Sequence, residues 1–126
     1  MQIYEAVMND TEGEITYTLL QAGGYIKDNR LLPKGFDTTP VDERIAVKGY
    51  ASKDNNFTGS SDSLTYRVNT KGFRLPFTII TELLYQTVSF NSLADLLSDQ
   101  TSNGLLREFS SYNIPIVISK AQRKYE

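Results

Sequence analysis

The stretch Pro76-Phe77-Thr78-Ile79-Ile80-Thr81-Glu82-Leu83-Leu84-Tyr85 decides the fold class. It opens the longest β-prone segment of the chain, which continues to Phe90. Successive side chains of a strand point to opposite faces. Phe77, Ile79, Leu83 and Tyr85 therefore share one face, and Ile80, Leu84 and Val88 share the other. Apolar residues on both faces predict a central strand with a bend partway.

Shorter runs with the same period flank it. In Gln2 to Met8, Tyr4, Ala6 and Met8 alternate with Ile3, Glu5 and Val7. The turn formers Asn9-Asp10-Thr11-Glu12-Gly13 follow, then Ile15 to Leu20, in which Ile15, Tyr17 and Leu19 share a face. Two alternating runs around a polar loop with glycine read as a hairpin or a sheet-to-sheet connection. Gly23-Gly24 breaks the pattern. A third run, Tyr25 to Leu32, is interrupted by Lys27-Asp28-Asn29-Arg30 and stopped by Pro33. Ile45 to Tyr50 reads as a short strand, and Leu64, Tyr66 and Val68 as the inward side of a half-buried one. Residues 33–44 and 51–62 are long loops.

The C-terminal third changes period. Ser92-Leu93-Ala94-Asp95 is a weak capping box, with Leu93, Leu96 and Leu97 as a helical stripe. Leu105, Leu106, Phe109 and Tyr112 predict a second short helix after Ser102-Asn103-Gly104. Ile114, Ile116 and Ile118 then alternate again, with Pro115 suited to a strand start or an edge. The polar tail Gln122 to Glu126 is expected to fray. These elements predict a mainly β chain: an antiparallel β-sandwich of about seven strands with two short helices near the C-terminus. The alternative is an α+β sheet with both helices on one face. A length of 126 residues fits a single domain spanning 1–126.

Composition removes whole classes of chemistry. The chain has no cysteine, so thiolate nucleophiles, thiolate metal sites and haem attachment through thioethers are excluded. It has no histidine, which removes imidazole ligands and the commonest general base. A net charge of -2 with no basic cluster argues against nucleic acid. No apolar run is long enough for a membrane helix, so no membrane insertion is expected, and the N-terminus does not read as a signal peptide. Gly-rich phosphate loops, the Gly-x-Ser-x-Gly elbow and the Ser-x-x-Lys motif with its partners are absent from the sequence.

Two segments carry candidate sites. In Asp54-Asn55-Asn56-Phe57-Thr58-Gly59-Ser60-Ser61-Asp62, oxygen-bearing side chains fall at positions 1, 3, 5 and 9 with glycine at 6. That is the first part of a calcium loop, because alternate residues of a tight turn can aim oxygens at one centre. Asp54, Asn56, Thr58 and Asp62 are the candidate ligands of a weak calcium site. Ser61 at position 8 and Thr65 at position 12 depart from the pattern, and a solvated Asx-and-glycine loop is the competing reading. In Lys27 to Phe36, Arg30 could anchor a carboxylate or planar polar group of a partner. A charged turn with Arg30 paired to a local acid is the competing reading. Phe36 and Phe57 flank the loops as candidate contact residues.

Acids alone could also run a hydrolase, with or without a metal, and Asp54, Asp62 and Glu82 are the candidates. Glu82 stands out for lying in the most apolar strand, where burial would raise its pKa. Pairing with Arg67 or Arg74, or exposure, is the simpler expectation.

Tyr25-Ile26-Lys27-Asp28-Asn29-Arg30-Leu31-Leu32-Pro33-Lys34-Gly35-Phe36 is similar to the haem-free C-terminal region of bacterial multihaem cytochrome c-like proteins. Gly59-Ser60-Ser61-Asp62-Ser63-Leu64-Thr65-Tyr66-Arg67-Val68 and Leu83-Leu84-Tyr85-Gln86 resemble stretches of the same region. The likeness spans about Ile3 to Phe90 and weakens over the two helical segments. It implies one domain of a larger extracytoplasmic protein, periplasmic or extracellular. Because Cys-x-x-Cys-His is absent, it implies an accessory role and not electron transfer. The function expected is thus a non-catalytic binding module for a protein partner or neighbouring domain, contacted through Arg30, Phe36 and Phe57. A carbohydrate-binding module with a weak calcium site is the alternative, and a carboxylate- or metal-dependent hydrolase a third.

Overall fold

The computed structural model describes residues 1–38, 41–58, 60–98 and 104–126. Two antiparallel sheets and two helices make a mainly β chain, divided into two compact units, Met1–Tyr66 and Arg67–Glu126. Thr39 and Pro40 of loop 33–44 lie outside the described residues, as do Gly59 of the calcium-like loop and Ser102-Asn103 before the second helix.

In the first unit, strands β1 (Ala6–Asn9), β2 (Ile15–Thr16) and β3 (Gly24–Asp28) form a sheet in the order β2-β1-β3. The hairpin expected around Asn9 to Gly13 forms, with Met8 opposite Thr16 and Asn9 opposite Ile15. Its turn is built by Asp10, whose Oδ1 accepts the backbone N–H groups of both Glu12 and Glu14 at 2.9 Å. Gly13 closes the turn at φ +93°, a conformation that a side chain would strain. The strand anticipated over Ile15 to Leu20 stops after Thr16, where the chain enters a 3-10 turn at Leu19–Gln21. Thr16 Oγ1 takes the N–H of Thr18 at 3.2 Å, a local bond that competes with continuing the ladder.

Two further expected strands take other forms. Ile45 to Tyr50 contributes one bridge, Lys48 with Asp28, before a 3-10 turn over Gly49–Lys53. Gly49 makes that switch at φ +78°, with the Ile26 carbonyl 3.4 Å from where a Cβ would sit. Leu64 to Asn69 alternates in sequence but joins no strand, and Tyr66 and Val68 are exposed. Without a neighbouring backbone on either side, alternation alone supplies no ladder hydrogen bonds.

The interior of this unit is polar to an unusual degree. Among the described residues of the unit, the buried apolar side chain is Val7, alongside buried Thr16, Asp28 and Asn29. Asn29, at 4% exposure, follows β3 directly and extends its pairing past the end of the strand. Its side-chain Oδ1 accepts the N–H of Glu5 at 2.9 Å, its Nδ2 donates to the Ile3 carbonyl at 3.0 Å, and its own N–H donates to the Glu5 carbonyl at 3.2 Å. Lys27 reinforces the same strip, reaching Glu5 Oε1 at 2.9 Å and the Ile3 carbonyl at 3.2 Å.

In the second unit, β4 (Phe77–Tyr85) and β5 (Ile116–Tyr125) pair antiparallel along their whole length. The register runs from Phe77 opposite Tyr125 to Tyr85 opposite Ile116, with a bulge at Leu83/Leu84. β5 starts immediately after Pro115, as its missing amide allows. The tail expected to fray is instead strand up to Tyr125. Its ring stacks on Phe77 with centroids 5.1 Å apart, and Lys120 pairs with Glu82 at 2.8 Å. A nine-residue partner strand gives the polar tail a complete ladder, which overrides its weak local propensity.

The helices are α1 (Phe90–Ser98) and α2 (Gly104–Tyr112), which pack on each other. α1 begins two residues before the expected cap at Ser92. Ser89 is the residue that caps it, its Oγ accepting the N–H of Ser92 at 3.1 Å. Leu93, from the expected stripe, is buried. Buried Asn113 ends α2 and closes a two-bond ring on Val88: Nδ2 donates to its carbonyl at 2.9 Å and Oδ1 accepts its N–H at 3.3 Å. No described helix is long and apolar enough to cross a membrane.

Truncating Asn29 leaves a part-buried N–H at Glu5 without its partner and the Ile3 carbonyl with Lys27 alone. Urea denaturation of Asn29→Ala should show a loss of about 2 to 3 kcal/mol. The exposed Asn55→Ala should change stability by less than about 0.5 kcal/mol.

Candidate functional site

The first unit carries a groove of about 670 Å³. Val7, Ile15, Ile26, Phe57 and Leu64 give it an apolar wall, and Asp54 and Asp62 bring carboxylates to it. β1, β2 and β3 each send one aliphatic side chain into this wall, since Val7, Ile15 and Ile26 belong to the three neighbouring strands. Lys27 and Lys48 also line it, but each is neutralised in place: Lys27 by Glu5 at 2.9 Å and Lys48 by Glu43 at 3.1 Å.

Asp62 is the polar centre of the groove. Its Oδ2 accepts a hydrogen bond from the Tyr4 hydroxyl at 2.7 Å, linking residues 58 positions apart. Its Oδ1 is buried and meets no donor among the described residues. Tyr4 responds to this setting. Burial, then the hydrogen bond to Asp62 and its charge, push the phenol up to about 12 from an ordinary value of 10.0. The phenol thus stays protonated and remains a donor to Asp62 well above neutral pH.

The structure brings three of the sequence-derived residues to this groove, Asp54, Phe57 and Asp62. Each proposed calcium ligand has one side-chain oxygen engaged within the protein, that of Asp62 being Oδ2. Asp54 Oδ1 accepts the Asn56 N–H at 3.1 Å, Asn56 Oδ1 accepts the Ser63 N–H at 3.0 Å, and Thr58 Oγ1 lies 3.0 Å from Ser61 Oγ. Asp54 thereby forms an Asx turn, and Asn56 ties the two ends of the loop together. Among the described residues, no three or more Asp or Glu side chains gather so that they could hold a metal ion together.

Arg30 and Phe36 line a separate, smaller groove of about 390 Å³ in the same unit, with Leu31, Leu32, Ile45 and Val47. Arg30 is forked onto Asp28, with Nε at 2.9 Å and Nη2 at 2.6 Å from the two carboxylate oxygens. Its guanidinium carbon also stands 5.9 Å from the Tyr25 ring centroid. The hydrogen bond to Asp28 raises the guanidinium pKa further, against the opposing effect of burial, so it is permanently charged. One edge of the fork is committed to Asp28. The side chain is still 59% exposed, which leaves the rest of the group facing solvent.

Among the acids considered for hydrolysis, Asp54 and Asp62 belong to the first unit and Glu82 to the second. Glu82 is exposed and paired with Lys120, rather than with Arg67 or Arg74. In the loop at 41–44, Arg44 holds the Asp42 carboxyl down to about 2 through a forked contact at 2.7 and 2.9 Å.

Tyr4 was the site residue hidden from sequence reasoning. Its alternating run marks it as a cross-strand or core side chain, and nothing local signals a partner at position 62. No protein-family model, curated protein or solved structure matches the chain.

The raised Tyr4 value carries a stability consequence. The folded state favours the neutral phenol, so this contribution is intact below pH 10 and is lost as pH rises through about 12. Ultraviolet titration of tyrosinate should show one tyrosine ionising well after the ordinary group, and Tyr4→Phe should remove that late step. A wild-type titration with every tyrosine near pH 10 would contradict it.

Proposed function

We propose that this chain is a non-catalytic recognition module that receives an apolar side chain of a protein partner or neighbouring domain in the groove of its first unit. The observation that carries this reading is Asp62, which lines an apolar groove and whose buried Oδ1 meets no donor among the described residues. An unsatisfied buried acceptor costs about 1 to 3 kcal/mol, and more when charged. A ligand that presents a donor beside an apolar group recovers this cost on binding. Phe57 and the aliphatic side chains of the three strands supply the area, and Asp62 supplies orientation, the usual division of labour in a binding cleft.

The likeness of Tyr25 to Phe36 to the haem-free region of multihaem cytochrome c-like proteins supports the same role, with the partner being an adjoining domain of an extracytoplasmic protein. Arg30 and Phe36 form a second contact in that reading, because they share one groove and the guanidinium is held rigid by Asp28. A full β-sandwich belongs to this proposal too. The two antiparallel sheets provide five strands among the described residues, and the alternating segment 64–69 is the one suited to add another.

A pair of small probes tests the groove. Phenylbutylamine joins an apolar tail to a cationic donor, and phenylbutyrate joins the same tail to an acceptor. In amide-detected NMR titrations the amine should shift Phe57, Asp62 and Leu64 with an affinity of about millimolar, as expected for so few atoms. The carboxylate should not, and Phe57→Ala should weaken the amine. Equal responses to both probes, or shifts elsewhere only, would refute the assignment.

A further inference from the structure

The second unit has a strand edge without a partner and a sequence that fits itself. β4 pairs with β5 on one side, and among the described residues no strand meets its other edge. Among the described residues, the close backbone neighbours of the ribbon strands are each other, and those of the helices are each other. Ile80, Leu83, Leu84 and Tyr85 of β4, and Ile116, Val117 and Ile118 of β5, are exposed as a result.

Native proteins guard open edges with lysine, proline or inward-pointing charge. The β5 edge is guarded in this way, by Lys120, Arg123 and Lys124. The β4 edge is not: its nine residues contain one charge, Glu82, which is already occupied by Lys120, and no proline or glycine. Long, apolar and unguarded, the β4 edge is built to be paired.

Its sequence selects the partner. Laid antiparallel against a second β4 about Thr81, Phe77 faces Tyr85, Ile79 faces Leu83 and Thr81 faces itself on one side of the sheet, while Thr78 faces Leu84 and Ile80 faces Glu82 on the other. On the Phe77 face aromatic meets aromatic and aliphatic meets aliphatic, and on neither face do like charges stand opposite, which is the favourable pattern for cross-strand pairs. The same operation on β5 sets Ile116 against Tyr125 but Val117 against Lys124 and Ile118 against Arg123. Self-complementarity about a two-fold axis is the mark of an isologous interface.

We propose that the free edge of β4 is a dimerisation surface whose occupant is the β4 of a second copy of this chain. The product is a four-stranded antiparallel sheet in the order β5-β4-β4-β5, with Phe77, Ile79, Leu83 and Tyr85 of both copies forming one apolar face. The interface lies wholly in the second unit and is independent of the groove in the first.

Light scattering on the full chain should give twice its 14.2 kDa mass. Thr81→Lys, which sets two cations on the axis at an exposed position, should halve that mass while leaving the circular dichroism unchanged. The absence of native cysteine makes a second reading clean. Residues directly opposite across such a pair lie about 4.5 to 5.5 Å apart at Cα, within disulfide reach. Thr81→Cys should therefore crosslink to a dimer on oxidation, and Gln122→Cys on β5 should not. The proposal is overturned by a single-chain mass at every concentration, by a dimer that survives Thr81→Lys, or by crosslinking through Gln122→Cys and not Thr81→Cys.

Discussion

Where β3 ends, the side chain of Asn29 takes over the work of a peptide group, accepting from Glu5 and donating to Ile3 as a further strand residue would. Asn113 repeats the device in the second unit, closing its amide on the backbone of Val88. Both side chains are buried, whereas among the described residues the buried apolar ones are Val7 and Leu93. With so little apolar burial, the elements are held in register by satisfied polar groups. A single lost amide then exposes several backbone groups to an environment that cannot replace their bonds. The strip Ile3 to Glu5, fixed by Asn29 and Lys27, is also what presents Tyr4 to Asp62, so the candidate site depends on the same clamp.

A thin apolar interior leaves apolar surface outside. In the first unit that surface forms the groove around Phe57 and Asp62. In the second it lies on the β4–β5 ribbon. A two-stranded ribbon is marginal in isolation, and additional strands or a covering layer are what stabilise such structures. In the proposed dimer a second copy provides the additional strands, and the charged β5 edge limits growth of the sheet beyond four.

Much of the β structure was legible because it is written in local pattern. The Asn9 to Gly13 turn, the long strand from Phe77 and the strand after Pro115 all carry period-two alternation next to turn formers or proline. The apolar stripes at Leu93 and Leu105 marked the helices for the same reason. What could not be read depended on distant partners. Leu64 to Asn69 alternates like a strand but joins none, whereas the polar end of β5 becomes strand because β4 is long enough to hold it. At the site, Phe57 and Asp62 were visible as loop residues flanking an oxygen-rich turn. Tyr4 was not, because a hydrogen bond across 58 residues leaves no local trace. Asn29 was read as part of a charged turn, since its role lies in what faces it and not in its neighbours.

Amide hydrogen exchange of the full chain tests the clamp most directly. If the asparagine amides hold the two units, the Glu5 and Val88 N–H groups, each bonded to an asparagine Oδ1, exchange as slowly as the ladder amides of β1 and β4. Each should lose that protection when its own asparagine is replaced by alanine. Glu5 and Val88 exchanging at the rate of exposed loop amides in the wild-type protein would contradict the account.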